Sequence, residues 1–551
     1  MAVEIFSEGP APVIAEVCRQ IGVQQTIDKM TYWDEDRCKL SPGRRMVAVI
    51  INALMDRQPL MYLVRFFVDM DTQKLFGEGI QPEDLNDHAV GRALDKLAEA
   101  GPERVYARIA MRTMVEEEVQ VDTIHADTTS MSVQGAYEVD GGEGLNLTHG
   151  YSKDGRPDLK QFLYGVGVTP DGVPVVAQVR DGNTADSTWN GDIIELLRER
   201  VGAQDKEKPL LYVADSKLVS KTNLDKLAEE KLHFISRLPG TFNLDEELKA
   251  RAWEQNQWCE LGSTSEKKGA AEYRAQSFYE ELYGRTYRFI VLHSSNLDGR
   301  RERGIENQLD KSQEQLQEEF DVLQKRSFAC EADAREVWED FCAKHAHPCF
   351  GLEAEIESFE HRLKRDKPGR PPKDWEPEYE TRWRIRPQLS RDDEAIYQRK
   401  SRASCFVLIT NLTDEDEWTD RRVLVEYKNQ STVESQFRFI KKPKVTGPIY
   451  LKNPERVNAL AHVFLMALLV YSVIQRRVRR ALKQEGETIL IVGKKTTSRP
   501  TGKKILDLFS HLGIVRDEHG NREFPTNLKI PRKVMKLMGV KPEIYLRGPP
   551  D

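Results

Sequence analysis

Three carboxylates far apart in the chain stand where predicted elements end or turn. Asp127 closes "VQVDTIHAD", Asp215 closes "PLLYVAD", and Glu434 lies within "VEYKNQSTVESQFRFIKKPK", residues 425–444. Only a fold can gather residues so distant in sequence. Three carboxylates at one sheet edge repel one another and call for cations. Their natural partner is a pair of hard divalent ions, Mg2+ or Mn2+, oxygen-liganded and about 3.5 to 4 Å apart. Two such ions activate a water or a 3′-hydroxyl and stabilise the leaving oxygen of a phosphodiester. The chemistry these residue types fit is phosphoryl transfer on nucleic acid.

The segment around Glu434 adds polar company. Read as one helix at about 100° per residue, Tyr427, Gln430, Glu434 and Lys441 fall within a stripe about 60° wide, and Arg438 extends it. Val433, Phe437 and Ile440 form the adjoining apolar face. A solvated face with an ordinary Glu434–Arg438 pair is the bland account of that stripe. Charge distribution argues for more. The whole chain carries 82 Lys and Arg against 89 Asp and Glu, a net charge of −7, which by itself disfavours a nucleic-acid binder. Yet Arg438 to Lys483 holds eleven Lys or Arg and one acid, Glu455. A basic segment in an acidic protein suggests one polyanion-binding surface.

The elements that must position these residues follow from the pattern. A chain of 551 residues is too long for one core, so two to four domains are expected. Residues 1–115 read as helices broken by Pro and Gly, either a helix-turn-helix DNA-binding module or a packed bundle. From 118 to 242 the period changes: a strand ending at Asp127, a hairpin around Pro170-Asp171-Gly172, then helix and strand in alternation. That implies a mixed sheet flanked by helices. Residues 243–399 break the alternation and read as an inserted α+β domain, with "KRDKPGRPPKDWEPEYE" as Pro-rich linker. "SCFVLITNL" returns as a strand, so 118–242 and 400–485 form one domain. The block from 450 reads as mostly helical and ends in a Pro-rich tail, with 486–551 as the C-terminal region. The apolar run from Val457 is interrupted by Asn458, His462 and Ser472, which favours a buried helix over a membrane span.

Three of these segments carry a family resemblance. "HADTTSMSV", "YVADSKLVSKTNL" and the Tyr427–Lys441 stretch resemble, in order, the motifs of DDE transposases of bacterial insertion sequences. The branch is the one marked by Y-x2-R-x3-E-x6-K after a ribonuclease-H-like sheet. Tyr427, Glu434 and Lys441 match at the right spacing, and Gln430 stands where the family usually has arginine. "GYSKDGRPDLKQ" and "RDGNTADSTW" resemble the stretches flanking the family's hairpin. The resemblance spans about 120 to 480. It implies a mixed α/β, ribonuclease-H-like catalytic core and metal-dependent cleavage and strand transfer of transposon ends. Asp127, Asp215 and Glu434 would hold the two ions. Tyr427 and Lys441 would bind DNA phosphates near the cleaved end, with Arg438 or Lys428 compensating for Gln430. It also implies a homodimer on DNA, with end and target duplexes as partners.

Other candidates are weaker. Asp122 precedes Asp127 by five residues and faces the other side of a regular strand. Cys342, His345, His347 and Cys349 have zinc-ligand types in no common zinc spacing. Trp189 and Trp418 could stack on a base but suit structural roles. "GKKTTSRPTGKK" could touch DNA or stay solvated. Seven cysteines without a framework, and no signal pattern in MAVEIFSEGP, fit a reducing cytoplasm and no membrane. Two other readings stay open: a transposase-derived DNA-binding protein that no longer cuts, and a standalone nuclease of the same fold.

Overall fold

The computed structural model describes residues 4–55, 58–137, 144–201, 209–265, 269–296, 299–364, 376–441, 449–491, 495–524 and 528–547. Its contacts divide into two compact units. One comprises Met1–Pro239, Glu281–Tyr287 and Ile409–Asp551; the other comprises Gly240–Glu280 and Arg288–Leu408.

The first unit is built on a mixed sheet. β1 (Thr123–Ser132) pairs antiparallel with β2 (Gln161–Val168), which pairs antiparallel with β3 (Pro174–Asp181). On its other side β1 runs parallel to β4 (Leu211–Ala214), and β4 parallel to β5 (His233–Arg237). Within their sheet these five strands run in the order β3-β2-β1-β4-β5. Three antiparallel strands continued by two parallel ones make a ribonuclease-H-like sheet, and the fold is mixed α/β. Every residue of β2 is buried, so "QFLYGVGV" carries no polar alternation. The turn between β2 and β3 needs a positive φ, and Gly172 supplies it at +88° while its N–H donates to the Thr169 carbonyl at 2.8 Å.

The apolar run from Val457 lies in the helix Pro454–Glu485, and 94% of its most apolar window is buried. This helix packs against Pro42–Leu54, Asp87–Glu99 and Pro102–Glu116, and against β3. Asn453 caps its start by accepting from the N–H groups of Glu455 and Arg456. Beyond this helix, which makes the block from 450 mostly helical as expected, short strands appear as well. Short strands at Ile489–Ile491, Lys495–Thr497, Ile514–Arg516 and Arg522–Glu523 alternate with the helices Gly502–Asp507 and Lys529–Leu537. β-Branched residues between Gly513 and Gly520 favour extended chain there. Ile514–Arg516 pairs with Glu4–Phe6, so the two ends of the chain share a sheet.

The second unit holds the helix Asn243–Gln255, antiparallel strands Cys259–Ser263 and Glu272–Leu282, and the helices Gly299–Gln324 and Glu331–Lys344. Most of the segment expected to be a Pro-rich linker lies outside the described residues, between two paired strands. Phe350–Arg362 pairs with Tyr379–Arg391 over its whole length, and residues 365–375 lie outside those described. Opposite charges face each other across it, Glu357 bonding both Arg384 and Arg386. Leu309, Leu316, Cys349, Phe350 and Ile396 form one buried cluster, and Leu323, Phe328, Ala334 and Ile385 another.

Candidate active site

Backbone register brings the first two carboxylates together. The parallel ladder between β1 and β4 ends at His125↔Val213. Two residues further along each strand stand Asp127 and Asp215, on neighbouring strands about 4.8 Å apart. Asp127 does not end its strand, as expected, but sits in its middle, because the antiparallel pairing with β2 continues to Ser132↔Gln161. Asp215 follows the last residue of β4. Its carboxylate accepts from the Lys217 N–H at 3.1 Å, and its carbonyl accepts from the Ser236 hydroxyl at 2.8 Å. Asp127 accepts from the Thr128 N–H at 2.7 Å.

A third acid, missed in the sequence, joins them. Asp186 opens the helix Asp186–Val201 and accepts from the Thr128 hydroxyl. That helix is seated by Trp189, which is fully buried against Gly165, directly across from Thr128 on β2. A Cβ on Gly165 would lie 2.0 Å from the indole nitrogen of Trp189. Trp189 is thus a structural tryptophan. Lys153 is the local counter-charge, and it too was passed over. Its ammonium donates to the Thr128 carbonyl at 3.0 Å and the Thr128 hydroxyl at 2.7 Å, and pairs with Asp186 at 3.2 Å. The two residues lie in "GYSKDGRPDLKQ" and "RDGNTADSTW", and nothing in the spacing of either stretch marks one residue over its neighbours.

Electrostatics record the crowding. Burial pushes the Asp127 carboxyl up to about 7; Lys153 and the Thr128 N–H oppose the rise, while Asp215 and Asp186 add to it. Burial raises the Asp215 carboxyl as well, with Asp186 adding and Lys153 opposing. Tyr427 is lifted to about 12, first by burial and then by the charges of Asp215, Asp127 and Glu434, against the pull of Arg237. Its phenol therefore feels all three sequence-predicted carboxylates.

Glu434 arrives on an interrupted helix. The single helix expected over 425–444 is two, Asp420–Lys428 and Ser431–Ile440. Between them Gln430, Thr432 and Val433 donate to the carbonyls three residues back, at 3.1, 2.8 and 3.0 Å. Such a tight turn advances about 120° per residue rather than 100°. The stripe from Tyr427 to Lys441 therefore does not continue in phase as drawn. Gln430, at the break, donates to the Ala126 carbonyl at 3.4 Å and so ties the second helix to β1 beside Asp127. Behind it, the Glu426 carboxylate meets the buried His125 ring at 2.9 Å. Val433, Phe437 and Ile440 are buried, as expected of the apolar face, while Glu434 and Arg438 are exposed. Gln436 donates to the Gly172 carbonyl at 3.0 Å, docking the helix on the hairpin turn. Lys441 is held by Asp154 at 2.5 Å. Residues 442–444 of the predicted helix lie outside those described.

The donor set suits a hard cation: half-buried carboxylate oxygens of Asp127 and Asp215, raised in pKa chiefly by burial, with the Lys153 ammonium close by. In the arrangement observed, no three His, Cys, Asp or Glu side chains among the described residues are close enough to hold an ion. The zinc-like set resolves otherwise. Cys349 is buried in a hydrophobic cluster, His345 stacks on Phe341 with centroids 4.3 Å apart, and the His347 ring accepts from the Cys349 N–H at 3.1 Å. Trp418 carries the Arg422 guanidinium over its ring at 3.9 Å. Asp122 lies ahead of β1 and is exposed.

A family model described as the transposase DDE domain matches residues 126–470, more than half the chain and all three sequence-predicted carboxylates. The chain belongs to the DDE transposase family. Its enzyme class is thereby a transposase. Residues 9–111 match a second model, a domain of unknown function, DUF4277. No curated protein matches the chain. Among solved structures the transposase is similar to the piggyBac transposase in its synaptic complex with hairpin DNA. The identity is 8%, over 91% of this chain and 79% of that one, with a TM-score of 0.38. So distant a likeness assigns no residue.

Proposed function

We propose that this transposase cuts and joins the DNA ends of a bacterial insertion sequence by metal-dependent phosphoryl transfer. Asp127, Asp215 and Glu434 serve as metal ligands, and Asp186 is an additional acid in the same pocket. The observation that carries the reading is the juxtaposition of Asp127 and Asp215 at the end of a parallel ladder, in a chain of this family. Two divalent ions, when bound, supply Lewis acidity at the transferring phosphate and acidify the attacking hydroxyl. The chain's own groups do the rest. Lys153 neutralises part of the acidic charge, and Tyr427, whose phenol pKa is raised by burial and by the charges of Asp215, Asp127 and Glu434, orients a phosphate. Lys441, once released by Asp154, contacts the backbone near the cut. A homodimer on two ends, target DNA, the helical residues 1–115 as end-binding region and a cytoplasmic site of action belong to the same proposal.

The test is cleavage of end-containing DNA in Mg2+ or Mn2+. The parent should nick and join, whereas Glu434→Gln and Asp127→Asn should bind the ends yet fail to cut, because each removes an anionic ligand without changing shape. A parent that binds ends but never cuts under either metal would establish the inactive DNA-binding alternative instead. Full-rate cutting by Glu434→Gln would remove Glu434 from the ligand set.

A further inference from the structure

The Ser431–Ile440 helix has a second charged side. Thr432, Ser435, Gln436 and Phe439 line a cavity of about 920 Å3. With Ser431 and Arg438, which also line it, these residues centre about 115° around the helix from Glu434, Arg438 lying about 40° away. The aromatic rings of Phe439 and Tyr471, stacked at 4.1 Å, belong to its wall. Arg476, Arg479, Arg480 and Lys483 come from one face of the Pro454–Glu485 helix, at spacings of three and four residues, and Arg438 and Arg499 join them. Asp171 is the only acid that lines this cavity among the described residues.

Among the described residues, most of this charge has no carboxylate paired with it. Arg476 bonds Asp171 and the Glu117 carbonyl, and Arg480 pairs with Glu118 at 3.1 Å. Among the described residues, Arg438, Arg479, Lys483 and Arg499 have no acidic partner. Arg479 is half-buried and spends one N–H on the Pro500 carbonyl at 2.8 Å. Its guanidinium pKa is lowered first by burial and then by the neighbouring Arg499. Cations crowded together without carboxylates are costly unless an anion binds among them. From Arg476 to Lys483 the helix rises about 10 Å. One phosphate group is too short for that span, which suits successive phosphates along a strand.

We infer that this cavity binds the phosphodiester backbone of a second stretch of DNA, on the flank of the helix next to the one that bears Glu434. The inference rests on the transposase reading and adds a site to it. Arg438, expected beside Glu434 in one groove, belongs to this cavity. The loop "GKKTTSRPTGKK" contributes Arg499.

The experiment measures binding of an end-containing duplex by fluorescence anisotropy across a KCl series, for the full chain and for Lys483→Ala/Arg499→Ala. Neither residue belongs to the proposed catalytic set. The double variant should bind roughly tenfold or more weakly, and the slope of log K against log salt should shrink by about 1.8, about 0.9 per lost phosphate contact. Its cutting rate at saturating DNA should equal the parent's. Lys483→Arg/Arg499→Lys should restore the parent slope, which excludes a folding defect as the cause. A double variant with the parent's affinity and slope overturns the inference alone, and a parent that binds no DNA overturns the DNA reading with it. Inorganic phosphate added to the DNA-free protein should raise the melting temperature only slightly. A strong rise, together with an unchanged DNA slope, would assign the cavity to a small anion and overturn the proposal.

Discussion

Asp127 shows what a single residue does in this pocket. Its carboxyl is lifted to about 7, chiefly by burial, whereas the same group in an unfolded chain titrates near 3.8. Between those pH values the native state keeps a proton that the unfolded state has released, so stability falls as pH rises through the window. The slope from one such group is at most roughly 1.4 kcal/mol per pH unit. Urea midpoints of the chelator-treated protein should therefore drop from pH 4 to 7. Asp127→Asn should flatten the fall, leaving the remainder to Asp215. Equal slopes in parent and variant would mean that Asp127 is ionised in the metal-free protein throughout. Lys441 makes a second case. Its 2.5 Å pair with Asp154 occupies the cation that the family pattern assigns to DNA. Asp154→Ala should tighten end-DNA binding a fewfold, and the gain should shrink in a Lys441→Ala background. The same gain in both backgrounds would reduce Asp154 to a generic negative charge.

Elements are where sequence reading succeeded and failed for separable reasons. Gly165 positions Asp186 indirectly, by leaving room for Trp189 under the helix that Asp186 begins. Gly165→Ala would put its Cβ 2.0 Å from that indole, so it should cost roughly 1 to 3 kcal/mol and lower the melting temperature. Trp189→Phe in the same chain should recover part of the loss; an unaltered melting temperature for Gly165→Ala would show that the helix shifts freely. The strands bearing Asp127 and Asp215, the Pro-Asp-Gly hairpin and the buried Val457 helix were legible because apolar runs and turn residues are local signals. The break at Asn429–Gln430 was not, because neither Pro nor Gly marks it and Gln430 closes the turn with a long-range bond to Ala126. Lys153 and Asp186 were hidden for the same reason: each matters through Thr128, 25 and 58 residues away in sequence. The hairpin arms from Phe350 to Arg391 alternate Glu and Arg in a way that reads as solvated chain until the partner strand is known.

At the scale of the whole molecule, the two ends of the chain close on each other around buried charge. Glu8 and Lys74 pair at 3.1 Å with almost no exposure. The Asp71 N–H donates to Glu8 at 3.0 Å, and Arg522 bonds the Asp71 carboxylate at 2.8 Å. The Tyr545 carbonyl accepts from Lys74 at 3.3 Å, and its hydroxyl donates to the Gly9 carbonyl at 2.8 Å. Residues 9–111 match one family model, yet Arg516, Arg522 and Tyr545, which cover this network, lie beyond both matched regions. The C-terminal residues are thus part of the N-terminal fold. Burial pushes the Glu8 carboxyl up and the Lys74 ammonium down, and the attraction between them opposes both shifts. Removing one partner leaves a buried charge uncompensated, which costs roughly 3 to 5 kcal/mol, whereas replacing both by neutral groups of similar size is often nearly neutral. Lys74→Met should therefore lower the urea midpoint strongly, and Glu8→Gln/Lys74→Met should recover most of the loss, a coupling larger than independent sites would give. Arg522→Ala, which strips cover from Asp71 on the far side of the same network, should destabilise in the same direction. A Lys74→Met protein within about 1 kcal/mol of the parent would show that Glu8 takes up a proton at little cost, and that the chain ends are held by the Glu4–Phe6 strand pairing and the Tyr545 contacts alone.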